Sequence, residues 1–395
     1  MTSSDSPQRA YRLFSMFFLL VFASIAVIQP YLTLYYNQIG FSGVQIGMVA
    51  VISALAVILL APYFGHIYDQ SRHKRLFLII AELIVVLSLG AVPFLREFAL
   101  VTFLFSVHRI ASTVSISTME NLAFQVGSLD GRSRFGKLRM WGSFGFGLMA
   151  FMGGQLMHRY QIQANNTIFI VLVVLVLAVI LLIPESVFAR PVEEDSTRLS
   201  IWAVLKLILK DKYLLLLVIA LALTDPVLDG IRSFEPIYMK DLGFTEVIIG
   251  LSVMLSAISE IPMMINADRL VSKIGVQRVL LFVFAFDLAR RLVVWIFPSA
   301  GMVFVTTVLN SVSFPLRLVS TVTLINLHIP RQYTTTANTF VGLTLIGVGY
   351  MVSNAAAGWL YDQFGGRPVY LMGACLCLIA LSLTWWAKDW KKDSE

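Results

Sequence analysis

The chain is a series of long apolar runs separated by short polar breaks. Twelve runs, at 14–36, 43–66, 76–95, 98–125, 139–157, 167–184, 213–237, 245–266, 279–297, 302–327, 338–360 and 369–387, are near the length a bilayer demands. A helix needs about 20 apolar residues to cross. Most breaks are short and carry Gly, Pro, Asn or charge, as connections do. One break is long, Glu185 to Lys212. It holds the polar PVEEDSTR and then SIWAVLKLILKDK, where Lys206 and Lys210 share one side and Trp202, Leu205 and Leu209 lie nearby. That pattern predicts an amphipathic helix lying at the membrane surface. The long break divides the chain into a six-helix bundle over 1–184, a cytoplasmic linker over 185–212 and a second six-helix bundle over 213–395.

Composition narrows this to an integral membrane protein. Hydrophobic residues make up 58% and charged residues 13% of the 395, against about 25% charged in soluble domains. Mean hydropathy is +0.80. The run at 14–36 is too long for a signal peptide and has no small-residue cleavage site. Cys375 and Cys377 fall together in one apolar run, where packing is their role; neither a disulfide framework nor a metal site is implied. Of the 30 Lys and Arg, 21 fall in segments on the N-terminal side, 4 in the opposite loops and five inside runs. Basic residues concentrate in cytoplasmic loops. Both termini are therefore placed in the cytoplasm of a bacterial-type inner membrane. The net charge of +7 then faces anionic lipid, and no nucleic acid partner is needed.

One hexad is written twice: GHIYDQ at Gly65 to Gln70 and GWLYDQ at Gly358 to Gln363. The first ends run 2 on the inside, the second ends run 11 on the outside. Inverted repeats produce this relation. If each bundle is a 3+3 inverted repeat, runs 5 and 8 are equivalent to runs 2 and 11. Run 5 ends in GQLMHRY, with Gly154 and with His158 where the Asp stands; run 8 ends in MINADRL, with Met264 for the Gly and Asp268 in place. The predicted fold is all-α: twelve transmembrane helices in two six-helix bundles. A Gly at a helix end lets two helices approach, and an Asp there accepts bonds from a neighbouring helix N-terminus. Gly65, Asp69, Arg72, Asp268, Gly358 and Asp362 are therefore gating candidates, a latch that rocking bundles make and break.

Polar stripes mark four runs. Run 1 carries Gln29, Thr33 and Tyr36; run 4 carries Arg109, Thr113 and Glu120; run 7 carries Asp225, Asp229 and Arg232; run 10 carries Asn310, Ser313, Arg317 and Ser320. Within each run these positions fall close to one helical face. A charge at membrane depth costs about 3 kcal/mol on insertion scales, so it faces a cavity or a partner. Runs 1, 4, 7 and 10 are equivalent under the repeat and are predicted to line one water-filled cavity; a structural ion pair is the alternative for any single residue. Glu82 stands alone on run 3, with a structural or a coupling role. Asp287 lies three and four residues before Arg290 and Arg291, a natural ion pair. The glycines at 142, 145, 147, 153 and 154 predict close helix packing. No nucleophile–base spacing, phosphate loop or ATP-binding domain is present, so the chain reads as a non-enzyme without cofactors, driven by a gradient.

GHIYDQSRHKR resembles the loop signature of the major facilitator superfamily, Gly-x-x-x-Asp-Arg-x-Gly-Arg-Arg, through Gly65, Asp69 and the basic run; GWLYDQFGGR fits its spacing through Gly358, Asp362, Gly365 and Arg367. RSRFGKLRMWGSFGFGLMAFMGG, Arg132 to Gly154, is similar to the span 4–5 region of lactose permease and its relatives, a group of proton symporters for oligosaccharides, nucleosides and phenylpropionate. The resemblance places Glu120 and Arg139 on that group's sugar-binding pair, and Phe146 where it has a stacking Trp. It places Glu260 on the carboxylate joining substrate and proton sites, and Arg291 or Arg290 on the proton-site Arg. Asn310 and Ser313 stand where the group has His and Glu, so the usual coupling pair is absent.

The resemblance implies a secondary active transporter, a proton-coupled symporter of a sugar, nucleoside or aromatic carboxylate working as a monomer by alternating access. Substrate-binding candidates are Gln29, Thr33, Arg109, Thr113, Glu120, Arg139, Phe146, Asp229, Arg232, Asn310 and Arg317. Proton-coupling candidates are Glu120, Asp225, Asp229, Glu260 and Arg291. The alternatives are a proton-antiport exporter of drugs or lipids, with a broader, more apolar cavity, and a sensor, which needs an output domain.

Overall fold

The computed structural model describes residues 7–127, 135–188, 201–330, 333–334, 337–338, 340–342 and 347–390, and among them all regular structure is helical. The helices are α1 Pro7–Gln38, α2 Gly43–Gln70, α3 Lys74–Ala91, α4 Phe98–Gly127, α5 Phe135–Leu182 and the one-turn α6 Glu185–Phe188. They continue with α7 Ile201–Lys210, α8 Lys212–Asp241, α9 Glu246–Ile274, α10 Val276–Ile296, α11 Ala300–His328, α12 Gly347–Phe364 and α13 Arg367–Trp390.

Ten helical stretches among the described residues are long and apolar enough to cross a membrane. One of these, Leu138–Leu182, is 45 residues long and supplies two crossings. It breaks at Gln161, whose φ of 60° and ψ of −173° lie outside helical space. The connection expected at 158–166 is therefore a single-residue break. Asn165 donates to the carbonyls of Val27 and Gly153, and Asn166 to that of Gly90, so the polar residues after the break are buried, not looped out. The helix α10 falls outside the ten because it carries Arg278, Asp287, Arg290 and Arg291; the last three are buried. It completes the twelve crossings predicted from the sequence.

The chain forms two compact units. One holds residues 1–41, 52–194 and 245–258; the other holds 42–51, 195–244 and 259–395. In the first unit α1 packs along α5. Lipid is as apolar as Leu, so close contact and interhelical hydrogen bonds, not apolar burial, drive this. Gly145 sits on the Leu19 carbonyl, and a Cβ at Gly153 would lie 2.7 Å from the Val27 carbonyl oxygen. Phe14, Phe17, Phe18, Met119 and Leu138 fill the core beside that seam.

In the second unit the helix start at α8 is capped by Asp211, whose carboxylate accepts from Leu214 N–H at 3.1 Å. The predicted amphipathic helix is present as α7. It docks through buried Val204 and Ile208 onto the core containing Leu214 and Leu217, with Lys206 and Lys210 left exposed.

Candidate functional site

In the first unit, Arg139 at the start of α5 reaches Glu120 on α4, with Nε 3.4 Å from Oε1 and each side chain 36% exposed. The same guanidinium lies over the Phe22 ring of α1, 3.9 Å from its centroid. Such stacking adds about 0.5–1 kcal/mol at exposed sites. Gly142 makes the stack possible, because a Cβ there would sit 2.7 Å from the ring and 3.0 Å from Arg139 Nη1. The result is a neutralised donor–acceptor pair that stays partly exposed. The other candidates of this unit surround it more loosely: Gln29 is exposed, and Thr33, Arg109, Thr113 and Phe146 are half-buried. Glu82 on α3 is buried and accepts from the Ser115 hydroxyl at 2.5 Å.

The second unit contains a buried ion network. Asp287 is fully covered and lies 2.6 Å from Arg290 Nη2 and 2.9 Å from Arg317 Nη1, and it accepts from the Ser313 hydroxyl at 2.6 Å. Arg317 also pairs with Asp225. Arg290 Nη2 donates to Asn310 Oδ1 at 3.1 Å, and Arg290 also donates to the Thr306 carbonyl. Arg291 donates to the Gly373 carbonyl at 3.0 Å and meets Cys377. The run-10 stripe of Asn310, Ser313, Arg317 and Ser320 is thus buried inside this unit, its first three members bonded around Asp287. Buried charges demand such pairing, since each unpaired one carries several kcal/mol of desolvation. Arg232 is exposed and Glu260 half-buried.

The gating candidates differ in their surroundings. Asp362 accepts the amide N–H groups of Gly43 at 2.5 Å and Val44 at 2.8 Å, the first turn of α2, and Gly358 packs on the Gly43 backbone. At the end of the first segment of α5, Gly154 packs on the backbone of Glu246, the first residue of α9, and His158 Nδ1 lies 3.0 Å from the Glu246 carboxylate. Both sites use a glycine for approach and a polar side chain four residues later for the helix start. At the other two ends, a Cβ on Gly65 would meet nothing within 4 Å, and Arg72 and Asp268 are exposed. The side chains of Asp69 and Asp229 lie outside the described residues.

Sequence reasoning missed Glu246, which lies at the start of the run 245–266, and Glu235, which follows the α8 stripe by one turn from Arg232. Glu235 accepts from the hydroxyls of Thr307 at 2.8 Å and Tyr370 at 3.1 Å. Extending the stripe by three residues would have found it.

Known proteins resemble the whole chain. A maltose permease of Geobacillus stearothermophilus is 25% identical over 373 residues, 93% of this chain and 92% of that protein. An uncharacterized transporter of Bacillus subtilis, YwbF, is 22% identical over 392 residues, 98% of this chain and 96% of that one. Among solved structures, the nucleoside transporter NupG superposes with a TM-score of 0.81 at 15% identity, over 97% of this chain and 99% of that one. A bacterial homologue of the human lysosomal transporter Spinster, inward-facing and unoccupied, gives a TM-score of 0.76 at 13% identity, covering 99% and 98%. These solved structures share the twelve-helix, two-bundle fold. The model of the MFS_1 like family matches residues 11–372, and the chain therefore belongs to that family of major facilitator superfamily membrane transporters.

Proposed function

We propose that this chain is a proton-coupled symporter that imports a neutral, hydroxyl-rich solute, a sugar or a nucleoside. It works by alternating access of the bundles 1–184 and 213–395, as a monomer in a bacterial-type inner membrane. The observation that carries the reading is the Glu120–Arg139 pair on Phe22. Its carboxylate accepts from solute hydroxyls and its guanidinium donates to them, with no net charge to favour an ion.

The aromatic carboxylate reading draws on Arg109, Arg232 and Arg317 as an anion site, and of these Arg317 already carries Asp225 and Asp287. The relationship to a maltose permease supports a sugar, and the shared fold of a nucleoside transporter is compatible with a nucleoside. With the N-terminus cytoplasmic, the engaged contacts of Asp362 and of His158 with Glu246 lie on the outer side, and Gly65, Asp69, Arg72 and Asp268 form the inner set.

Solute binding to the purified protein tests the substrate class. Hydrogen bonds to charged groups contribute about 1.5–3 kcal/mol each, so Glu120→Gln should weaken binding of one disaccharide or nucleoside by roughly 10-fold to 150-fold. Unchanged affinity in that variant removes the pair from the substrate site.

A further inference from the structure

Of three acids packed inside the second unit, Asp225, Asp287 and Glu235, one has different partners from the other two. Asp287 meets two guanidiniums and Asp225 meets Arg317, so both are held as ions. Glu235 accepts instead from two neutral hydroxyls, those of Thr307 on α11 and Tyr370 on α13. The Thr307 hydroxyl also lies 2.7 Å from the Val303 carbonyl. A hydroxyl has one proton to donate, so Thr307 cannot bond both acceptors at once.

We propose that Glu235 is the carboxyl that loads and releases the coupled proton. The inference rests on the symport reading. Ionised, Glu235 takes the Thr307 and Tyr370 protons. Neutral, it donates its own proton from Oε1 to Thr307 Oγ, Thr307 turns to the Val303 carbonyl, and Tyr370 still donates to Oε2. Both states are fully hydrogen-bonded without movement of a helix, which is what a reversible proton site requires. The proton adds to Oε1 from water on one side of the membrane and returns to water on the other; no other reactant is consumed.

The surroundings connect that event to the ion network. The charges acting on Glu235 are Arg232 on its own helix and Arg290 on α10, the residue that bonds Asp287 and Asn310. Tyr238, one turn on along α8, packs its ring against that of Tyr370, with centroids 5.7 Å apart. From α12 the titratable group is Tyr361, which bonds Asp241 instead. Thr306, whose carbonyl takes Arg290, is the neighbour of Thr307. Protonating Glu235 therefore changes the charge balance around Arg290. Glu235 is also only partly buried, whereas Glu82 with its Ser115 partner is 2% exposed.

The test uses the full chain in proteoliposomes, with maltose and uridine as the solute probes. Glu235→Gln mimics the neutral acid: its amide donates to Thr307 and accepts from Tyr370. It should keep solute exchange at wild-type rate and lose pH-driven accumulation. An infrared band of a neutral carboxylic acid should appear on acidification of the wild type and be missing in the variant. Tyr370→Phe removes a donor that the ionised form needs more, so the pH profile of transport should move to the alkaline side. Accumulation by Glu235→Gln equal to wild type overturns the proposal, as does an infrared band that survives the substitution. Wild type that exchanges solute but never accumulates it under a pH gradient overturns the symport reading instead, and the infrared measurement then decides alone whether Glu235 binds a proton.

Discussion

Asp362 caps the helix that begins at Gly43. Its two carboxylate oxygens take the first two amide N–H groups of α2, at 2.5 and 2.8 Å, where the helix leaves donors unsatisfied and its dipole favours an anion. The Asp belongs to the repeated hexad, so a sequence repeat becomes a definite contact. Glu246 with His158 supplies the corresponding contact at the start of α9.

Asp362→Ala should cost about 0.5–2 kcal/mol, as losing an N-cap does. Hydrogen exchange checks this at the site: the amides of Gly43 and Val44 should exchange faster in the variant, with the middle of α2 unchanged. Equal protection in both proteins means that the cap contributes nothing.

Gly358 and Gly65 hold equivalent positions in the hexad, yet their surroundings differ. A methyl group on Gly358 overlaps the Gly43 backbone, while one on Gly65 meets nothing within 4 Å. Gly358→Ala should destabilise by about 1–3 kcal/mol, the range for overpacking, and Gly65→Ala should stay within about 0.5 kcal/mol. Thermal unfolding in detergent separates them; equal losses would contradict the asymmetry.

Removing the charge of Asp287 leaves Arg290 and Arg317 facing each other without their shared counter-ion. Breaking a buried pair costs about 3–5 kcal/mol, so Asp287→Asn should lower the folded yield sharply. Adding Arg290→Gln should recover part of it. If the double variant is worse than the single one, the network is not held by charge balance.

The twelve crossings were legible because a bilayer imposes a length on apolar runs. The Glu120–Arg139 pair was legible through a local motif, and the structure brings the two side chains together. Other features depended on contacts between distant parts of the chain. Helical periodicity puts Asn310, Ser313 and Arg317 on one face but does not say what that face meets. Asp287, on another helix, decides it. Glu235 escaped notice beside Pro236 at the edge of its run, where its partners come from α11 and α13. The break at Gln161 was hidden because Asn165 and Asn166 read as loop until their carbonyl partners on other segments are known.

The exposed pair should separate function from stability. Half-exposed ion pairs contribute about 0–1 kcal/mol, so Glu120→Gln should unfold within about a kcal/mol of wild type while losing solute binding. A large drop in unfolding temperature with intact binding reverses the assignment and makes the pair structural.

The central claim is gradient-driven import, and uptake into proteoliposomes with an alkaline interior tests it most directly. The panel holds disaccharides, nucleosides and aromatic carboxylates. The account predicts accumulation of one neutral hydroxyl-rich class, collapsing when the pH gradient is dissipated and in Glu120→Gln. No gradient-driven uptake, together with expulsion of a hydrophobic cation when the gradient is reversed, would contradict it and identify an exporter.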